Sequence, residues 1–258
     1  MRKPFIIANW KMHKNIQESV EFIKQIRECL PQAGVEEVGI AAQAVALANM
    51  KQMVQGANLQ IIAQNAASEL VGPYTGEISV RCLADAGASY VMLGHLERRR
   101  LFHEDNETIN QKVLTALATG LTPIICTDDK MVQAEINGEI HYIFDQLKGV
   151  FDGVAPDQLK KIVLSYEPSW AVGSSQTANP LVAQKGCSRI REMIAAVYGQ
   201  RLADQVRILY GGSVNPQNIA AIMANPDVDG VLIGRASLQA DHFLEMVNWQ
   251  QAPVSNAL

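Results

Sequence analysis

Glu167 is a lone carboxylate that follows an apolar run and directly precedes Pro168 in the segment YEPSWAVGSS, residues 166–175. A structural carboxylate at such a place would be paired or solvated. A carboxylate enclosed with a bound substrate instead loses its hydration, which makes it a stronger base. Pro168 and Gly173 indicate a hinged lid that would exclude water. We therefore predict that Glu167 is a general base, provided that the chain supplies a substrate site around it.

Two further side chains at predicted strand ends have types that suit the same chemistry. His95 can polarise a carbonyl or move protons between adjacent oxygens, although a lone histidine is ordinarily a hydrogen-bonded core residue. Lys11 is ordinarily a solvated cation, but near a developing enediolate it would stabilise negative charge. Glu97 lies two residues after His95, and we expect it to pair with Lys11 rather than to be a second base. These residue types predict proton abstraction next to a carbonyl.

Two glycine-containing turns predict a phosphate site. In YGGSVNP, residues 210–216, the glycines let backbone N–H groups approach an anion, and Ser213 adds a hydroxyl. In IGRAS, residues 233–237, the turn at Gly234 and Arg235 opens another helix whose positive dipole end faces the same rim. Each turn alone is a weak signal. Their placement on consecutive strand ends predicts a phosphorylated sugar as the substrate.

Short apolar runs rich in β-branched residues recur along the chain and predict buried parallel strands. Segments with helical spacing separate them, and Asn179–Pro180 and Asn215–Pro216 each combine an N-cap with proline at the first helical position. Such β-then-α units predict a closed (β/α)8 barrel of the α/β class, whereas a doubly wound sheet would usually need fewer strands. The site is then expected at the carboxyl ends of the strands. The eight runs are residues 5–10, 37–42, 59–64, 89–94, 121–126, 161–167, 206–210 and 229–234.

Composition limits the other classes of function. We expect one barrel domain over residues 1–250 and a loosely ordered tail over residues 251–258, because no low-complexity linker interrupts the chain. The net charge of −4 gives no general attraction to nucleic acid or to an anionic membrane. No apolar run reaches the roughly 18 residues that span a bilayer, and no signal peptide is evident. Four scattered cysteines without a Cys-x-x-Cys pair are typical of free thiols, so a cytoplasmic protein is expected.

Seven motifs distributed along the chain are NWKM (9–12), AQN (63–65), TGE (75–77), GH with ERR (94–95, 97–99), YEP-WA-G (166–173), YGGSVNP (210–216) and DG--IG-ASL (229–238). Together these motifs resemble the triosephosphate isomerase family over about residues 5–246. Members of that family interconvert dihydroxyacetone phosphate and glyceraldehyde 3-phosphate in glycolysis and gluconeogenesis. They use neither a metal nor an organic cofactor, so the resemblance implies none here.

The resemblance also implies roles for individual residues. Glu167 would be the base that moves a proton between two carbons, and His95 would be the electrophile. Lys11 and Asn9 would be the pair that stabilises the oxyanion. Residues 168–178 would form the closing lid.

A phosphate site and a partner are implied in the same way. The implied phosphate ligands are Gly173, Ser213, Gly234 and the backbone amide of Arg235. Family members are usually homodimers in which a TGE loop docks into the neighbouring subunit near the catalytic lysine and histidine. Thr75 in the TGE loop of this chain therefore predicts a homodimer.

Three positions depart from the family pattern. Leu96 follows the histidine where the family has serine, and because a leucine side chain cannot donate a hydrogen bond we expect a more apolar surrounding for Glu167. Arg235 replaces the second glycine of the strand 8 turn, as in some relatives that act on four-carbon tetrulose phosphates. Those relatives tend to have serine where this chain has Asn9, so the two signals disagree. CTDD, residues 126–129, removes a glycine from the strand 5 turn.

Three functions stay open on this basis. The first is an isomerase of triose phosphates, and the second is an isomerase with the same chemistry on a tetrulose phosphate. The third is a weakly catalytic paralog that binds phosphorylated sugars. Retention of Asn9, Lys11, His95 and Glu167 argues against the third, because binding alone has no need for a base.

Overall fold

The strands of the chain run parallel around a closed barrel, each hydrogen-bonded to the next, and the last strand pairs with the first. The computed structural model describes residues 2–129, 136–169 and 179–251. Within those ranges the strands are β1 (Phe5–Asn9), β2 (Glu37–Ala42), β3 (Gln60–Ala63), β4 (Tyr90–Leu93), β5 (Thr122–Asp129), β6 (Val163–Pro168), β7 (Arg207–Tyr210) and β8 (Gly230–Ile233). The predicted (β/α)8 barrel is confirmed. Residues 252–258, which include most of the predicted tail, lie outside the described residues.

Strand β5 is the one that extends furthest beyond its predicted end. It was expected to stop at residue 126 and continues to Asp129. The extension pairs with β6 as far as Pro168, which supplies strand-to-strand hydrogen bonds for the added residues. The side chain of Gln146 also accepts a hydrogen bond from the N–H of Asp128 at 3.0 Å and donates one to its carbonyl at 2.7 Å. Because these partners are distant in sequence, the local spacing of apolar residues could not predict the true end of β5.

Helices connect the strands and cover the barrel. Those in the described ranges are α1 (Ile16–Ile26), α2 (Ala44–Met53), α3 (Val80–Asp85), α4 (Leu96–Leu101), α5 (Asn106–Thr119), α6 (Ile136–Val150), α7 (Pro180–Tyr198), α8 (Gln200–Ala203), α9 (Ile219–Met223) and α10 (Ala240–Val247). Short 3-10 helices occur at Arg27–Cys29, Leu159–Lys161, Arg235–Leu238 and Trp249–Gln251. In none of these described helices do length and apolarity suffice to cross a bilayer.

Of the two predicted helix starts, one is confirmed and the other lies three residues later than predicted. The side chain of Asn179 accepts a hydrogen bond from the N–H of Leu181, and α7 begins with proline. The side chain of Asn215 accepts from the N–H groups of Gln217 and Asn218, at 3.0 and 3.1 Å, as an N-cap does. These bonds close a turn, however, and α9 begins only at Ile219, so Pro216 is not its first residue.

The core of the barrel has two layers, because successive side chains of a strand point to opposite sides. Side chains that fill the barrel interior include Phe5, Ile7, Ile62, Leu209 and Leu232. The alternate side chains pack outward against the helices, where Ile23 and Ile26 of α1 are fully buried. Burying one Ile or Leu side chain contributes about 1.5–3 kcal/mol, so the repeated pattern stabilises the closed barrel.

A polar cluster fills the amino-terminal end of the barrel. Arg207 contacts Glu37 at 2.5 Å and donates to the hydroxyl of Tyr90 at 3.1 Å. Tyr90 donates to the other oxygen of Glu37 at 2.6 Å, and the Arg207 guanidinium lies 4.9 Å from the centre of the Phe5 ring. The cluster closes this end, so a ligand has access from the opposite, carboxyl end of the strands.

Residues near both ends of the chain are anchored at the same amino-terminal face. Arg2 contacts Asp229, which directly precedes β8, at 2.6 Å. Trp249 donates from its indole N–H to Glu36, which directly precedes β2, at 3.2 Å. Glu36 is only 2% exposed, and its burial raises the pKa of the carboxyl from 4.5 to about 7, against smaller opposing effects of Trp249 and Lys3. The fold therefore favours the protonated form of Glu36.

Glu36→Gln is expected to raise the free energy of unfolding by about 1–3 kcal/mol at pH 8. A carboxyl whose pKa is raised on folding contributes its full stability below its unfolded pKa and loses it as pH rises through the folded pKa. Glutamine stays neutral and still accepts from Trp249, so at pH 4.5 the variant should differ by less than about 0.5 kcal/mol. Urea unfolding at both pH values measures the difference. Glu28→Gln, at an 82% exposed side chain, is the control, and a Glu36→Gln protein destabilised at pH 8 would contradict this account.

Candidate active site

A cleft of about 710 Å³ opens at the carboxyl ends of the strands. It brings together side chains and turns from β1, β4, β6, β7 and β8, as expected for this architecture. Gly173 lies outside the described residues, and Thr75 does not line this cleft. The predicted site residues that line it are Asn9, Lys11, His95, Glu97, Glu167, Ser213, Gly234 and Arg235.

Lys11 is held in an unusual backbone conformation. Its φ angle of 51° lies in the left-handed region, which costs a residue other than glycine about 1–2 kcal/mol. The N–H of Lys11 donates to the Asn9 side-chain oxygen at 3.0 Å, and Gln64 donates to the Lys11 carbonyl at 2.8 Å. The ammonium group pairs with Glu97 at 2.6 Å, as predicted. These contacts fix the cation at the mouth of the barrel.

Gln64, the central residue of the AQN motif, has a role in the site that the sequence alone did not identify. Its side-chain amide also donates to the carbonyl of Ala41 at 2.9 Å and lies 3.4 Å from the Asn9 side-chain oxygen. One amide thus joins the ends of β1, β2 and β3. Its position at a strand end was visible in the sequence, but the carbonyls that it contacts belong to other strands.

His95 is the N-cap of α4. Its Nδ1 accepts a hydrogen bond from the N–H of Glu97 at 3.3 Å, which assigns the ring proton to Nε2. Nε2 lies 3.7 Å from Oε1 of Glu167 and therefore faces the same side of the cleft as the carboxylate. The helix start thereby orients a ring N–H donor toward the place where a substrate would lie.

Glu167 is almost completely enclosed, with 1% of its surface exposed. Its Oε2 accepts a hydrogen bond from the backbone N–H of Leu96 at 3.2 Å. The side chain of Leu96 cannot donate a hydrogen bond, which is why a more apolar surrounding is expected for Glu167. The backbone of the same residue nevertheless supplies a donor. This hydrogen bond ties the carboxylate to the start of α4.

Cys126 is a second residue whose relevance the sequence did not indicate. Its side chain is fully buried on the inner face of β5. Burial raises the pKa of its thiol well above the ordinary value, and the charge and hydrogen bond of Glu167 raise it further. The thiol therefore stays protonated beneath the carboxylate. Its position on the inner face, on the strand that pairs with β6, is the signal that could have found it.

The turns after β7 and β8 lie on the other side of the cleft. A side chain at Gly211 would place its Cβ 2.8 Å from Cγ of Glu167 and 2.8 Å from the hydroxyl of Ser165, so this position must remain glycine. Asn218 donates to the carbonyl of Ser213 at 2.9 Å and fixes the first turn. The second turn begins the 3-10 helix Arg235–Leu238, and the Arg235 side chain is exposed at the rim.

Thr75 lies in the loop between β3 and α3 and is exposed. The neighbouring residues Gly76 and Glu77 line a second cleft of about 630 Å³, which shares Asn9, Lys11 and His95 with the first. The TGE loop therefore lies beside the site within the same chain. Among residues 2–129, 136–169 and 179–251, no three His, Cys, Asp or Glu side chains gather as metal ligands.

The chain is similar in sequence and in fold to proteins named triosephosphate isomerase. A family model described as triosephosphate isomerase matches residues 4–250. The chain is 43% identical over 248 residues to a triosephosphate isomerase of Streptococcus agalactiae, covering 96% of this chain and 98% of that relative. A relative of the same name from Streptococcus equi subsp. zooepidemicus is 44% identical, with the same coverage. The fold matches the crystal structure of triosephosphate isomerase from Bartonella henselae with a TM-score of 0.85 and 31% identity, over 97% of this chain and 100% of that one.

Gly211→Ala is expected to displace the carboxylate of Glu167 and to destabilise the protein by about 1–3 kcal/mol. The added methyl group would overlap the stem of Glu167 and the hydroxyl of Ser165, both of which are buried. A crystal structure would measure the distance from the Leu96 nitrogen to Glu167, and urea unfolding would measure the stability. An unchanged hydrogen bond together with unchanged stability would show that the turn has room for the methyl group.

Proposed function

The chain belongs to the triosephosphate isomerase family, and we propose that the cleft at the carboxyl ends of its strands is the active site. The enzyme is an isomerase, an intramolecular oxidoreductase that interconverts dihydroxyacetone phosphate and glyceraldehyde 3-phosphate in glycolysis. The observation that carries the site assignment is the 3.7 Å distance between Nε2 of His95 and Oε1 of Glu167. A base and a ring N–H donor this close can act together, the base on a carbon and the N–H on the carbonyl oxygen next to it.

Glu167 removes a proton from the carbon next to the carbonyl. The electron pair of the broken C–H bond forms a carbon–carbon double bond, and the carbonyl oxygen acquires the negative charge. His95 donates a hydrogen bond from Nε2 to that oxygen. The charged oxygen then gains a proton and the hydroxyl oxygen on the adjacent carbon loses one, a transfer that His95 is positioned to mediate. Glu167 returns its proton to the neighbouring carbon, and the adjacent carbon keeps the new carbonyl group, which completes the exchange of aldehyde and ketone.

Lys11 and Asn9 stabilise the enediolate in this scheme. The ammonium group of Lys11 is fixed at the cleft by its pair with Glu97 and by its constrained backbone. A cation that is already in place needs no reorganisation when the charge develops, which is the source of electrostatic catalysis. The side-chain oxygen of Asn9 accepts from the N–H of Lys11, and its amide nitrogen donates to the sulfur of Met92 at 3.8 Å. A substrate oxygen would take the place of this weak sulfur acceptor.

The phosphate group is held by Ser213, Gly234 and the backbone amide of Arg235. Their position on the two consecutive turns, across the cleft from Glu167, supports this assignment. Gly173 is proposed as a further phosphate ligand and residues 168–178 as the lid, on the resemblance alone.

Triose phosphates are favoured over the two alternatives. Curated relatives with 43% identity over nearly the whole chain are named triosephosphate isomerase, and the base, the cation and the histidine all line the cleft. A tetrulose phosphate would need the rim near Arg235 to accept one more carbon. A weakly catalytic binding protein would have no use for the enclosed Glu167.

Glu167→Gln is expected to lower kcat by about 10² to 10⁴-fold with glyceraldehyde 3-phosphate, because the amide cannot accept the proton. A coupled assay measures the rate, and Glu192→Gln on the exposed surface of α7 is the control. The same assay on a four-carbon tetrulose phosphate should give a lower kcat/KM in the parent protein. Unchanged turnover in Glu167→Gln would show that the base is another residue.

The proposed assembly is a homodimer in which the TGE loop of each copy enters the second cleft of the other. The loop exposes Val71 and Tyr74, at 72% and 48% of their surface. The second cleft exposes Met12 and Phe102, at 84% and 62%. Apolar side chains exposed on two neighbouring surfaces suit an interface between two copies.

Thr75→Arg is expected to convert the dimer to a monomer, because the docked loop would bring a second cation close to Lys11. Sedimentation equilibrium at micromolar concentration measures the mass. Gln205→Arg, at an exposed position after α8, is the control and should stay dimeric. A parent protein with the mass of one chain would contradict the proposed assembly.

A cytoplasmic location is also proposed. All four cysteines are free, and Cys126 and Cys187 are buried as thiols. Free thiols persist in a reducing compartment, which supports this location.

A further inference from the structure

An ion pair joins the helix that begins after His95 to the strand that pairs with β6. One terminal nitrogen of Arg100, in α4, lies 3.2 and 3.5 Å from the two carboxylate oxygens of Asp128, in β5. The Asp128 side chain is completely buried, whereas 40% of the Arg100 side chain is exposed. The pair therefore reaches from the surface of α4 to the enclosed end of β5.

Asp128 is the direct neighbour of Glu167 in the sheet. The register of β5 and β6 pairs Asp128 with Glu167 and Asp129 with Pro168. Paired residues of adjacent parallel strands project to the same side, so the two side chains lie on the same side of the sheet. The backbone of Asp128 is fixed from both directions by Gln146. This end of β5 is thus a rigid support for the strand that carries the base.

The helix α4 carries the other half of the site. His95 is its N-cap, and Leu96 at its first position donates the hydrogen bond to Glu167. Arg100 lies four residues after Leu96, about one helical turn further along. The contact between Arg100 and β5 therefore helps to place α4, and with it His95, relative to Glu167, beside a hydrogen bond from Arg99 to the carbonyl of Cys126 at 3.3 Å.

We propose that Arg100 and Asp128 are positioning residues for the isomerisation. Neither side chain lines the cleft, so neither contacts the substrate. Their ion pair keeps α4 against β5 and so maintains the geometry in which His95 and Glu167 act on adjacent atoms. This inference rests on the proposed function, since it assigns a purpose to that geometry.

Removal of the ion pair between Arg100 and Asp128 is expected to displace α4. Without Arg100, Asp128 would be a buried carboxylate without its cation, at the position that the sheet pairs with Glu167. The structure would relieve this by moving α4 or by admitting water. A displacement of about 1 Å between reacting groups can cost about 10²-fold in rate, so a partial displacement of α4 should cost about tenfold.

The experiment compares Arg100→Met, Asp128→Asn and the double variant with the parent protein. For each, kcat and KM are measured with glyceraldehyde 3-phosphate, and the dissociation constant is measured for inorganic phosphate. Arg27→Met removes a partly exposed ion pair after α1 and is the matched control. Arg100→Met should lower kcat about tenfold and leave KM and phosphate binding within about twofold, because the phosphate turns are not moved.

The double variant and a conservative variant test the mechanism. The double variant should be no slower than Arg100→Met, because both changes remove one interaction. Arg100→Lys should recover kcat to within about threefold of the parent, since the contact is made by a single nitrogen that an ammonium group can replace. If Arg100→Met does not fold, the inference is tested by comparing Arg100→Lys with Asp128→Asn. The expected result is a lower kcat in Asp128→Asn than in Arg100→Lys.

Three results would overturn the inference. These are a kcat within about twofold of the parent in Arg100→Met, losses that multiply in the double variant, or an equal loss in Arg27→Met. A parent protein without isomerase activity would overturn the proposed function and this inference with it. An active parent with an unaffected Arg100→Met would overturn the inference alone.

Discussion

The hydrogen bond from the backbone N–H of Leu96 to Glu167 connects the two halves of the site. Glu167 belongs to β6, whereas Leu96 begins the helix that His95 caps. A carboxylate in an almost closed environment needs a donor, and here the donor is the backbone of the element that also orients the imidazole. Side-chain identity at position 96 is therefore less important for this contact than the start of α4 at that residue. The placement of the helix determines the distance between the acid and the ring.

The position of the Lys11 ammonium group likewise depends on contacts from separate elements. The backbone of Lys11 has a conformation that costs energy, and it is maintained by Asn9, Gln64 and Glu97 together. Strain that persists at such a place must be compensated by the surrounding contacts. Each of these contacts comes from a different strand end or from α4. The barrel thus supplies, from separate parts of the sequence, the constraints that one side chain requires.

Sequence patterns predicted the fold well because local signals determine it. Apolar runs gave all of the strands, and the types of His95, Lys11 and Glu167 were informative once the strand ends were known. The patterns failed where partners come from elsewhere in the chain. The length of β5, for example, depends on β6 and Gln146. The delayed start of α9 has a local cause, because Asn215 and Asn218 bond to each other across a turn.

The roles of Gln64 and Cys126 were not predicted because their contacts also come from other strands. Cys126 lies on the inner face of β5 and Gln64 directly follows β3, but their partners are contributed by neighbouring strands. Spacing along one strand gives the direction of a side chain and not the atoms that it meets. The pairing of Lys11 with Glu97 was predictable because opposite charges at one rim have few other partners.

Arg2 and Trp249 are both anchored at the face of the barrel opposite the cleft. A solid support, a fluorescent label or a fused carrier domain attached before Arg2 or after Trp249 would therefore project away from the mouth. Every molecule attached in that way would have its cleft facing the bulk solution. The fold is therefore suited to attachment on a surface in one orientation.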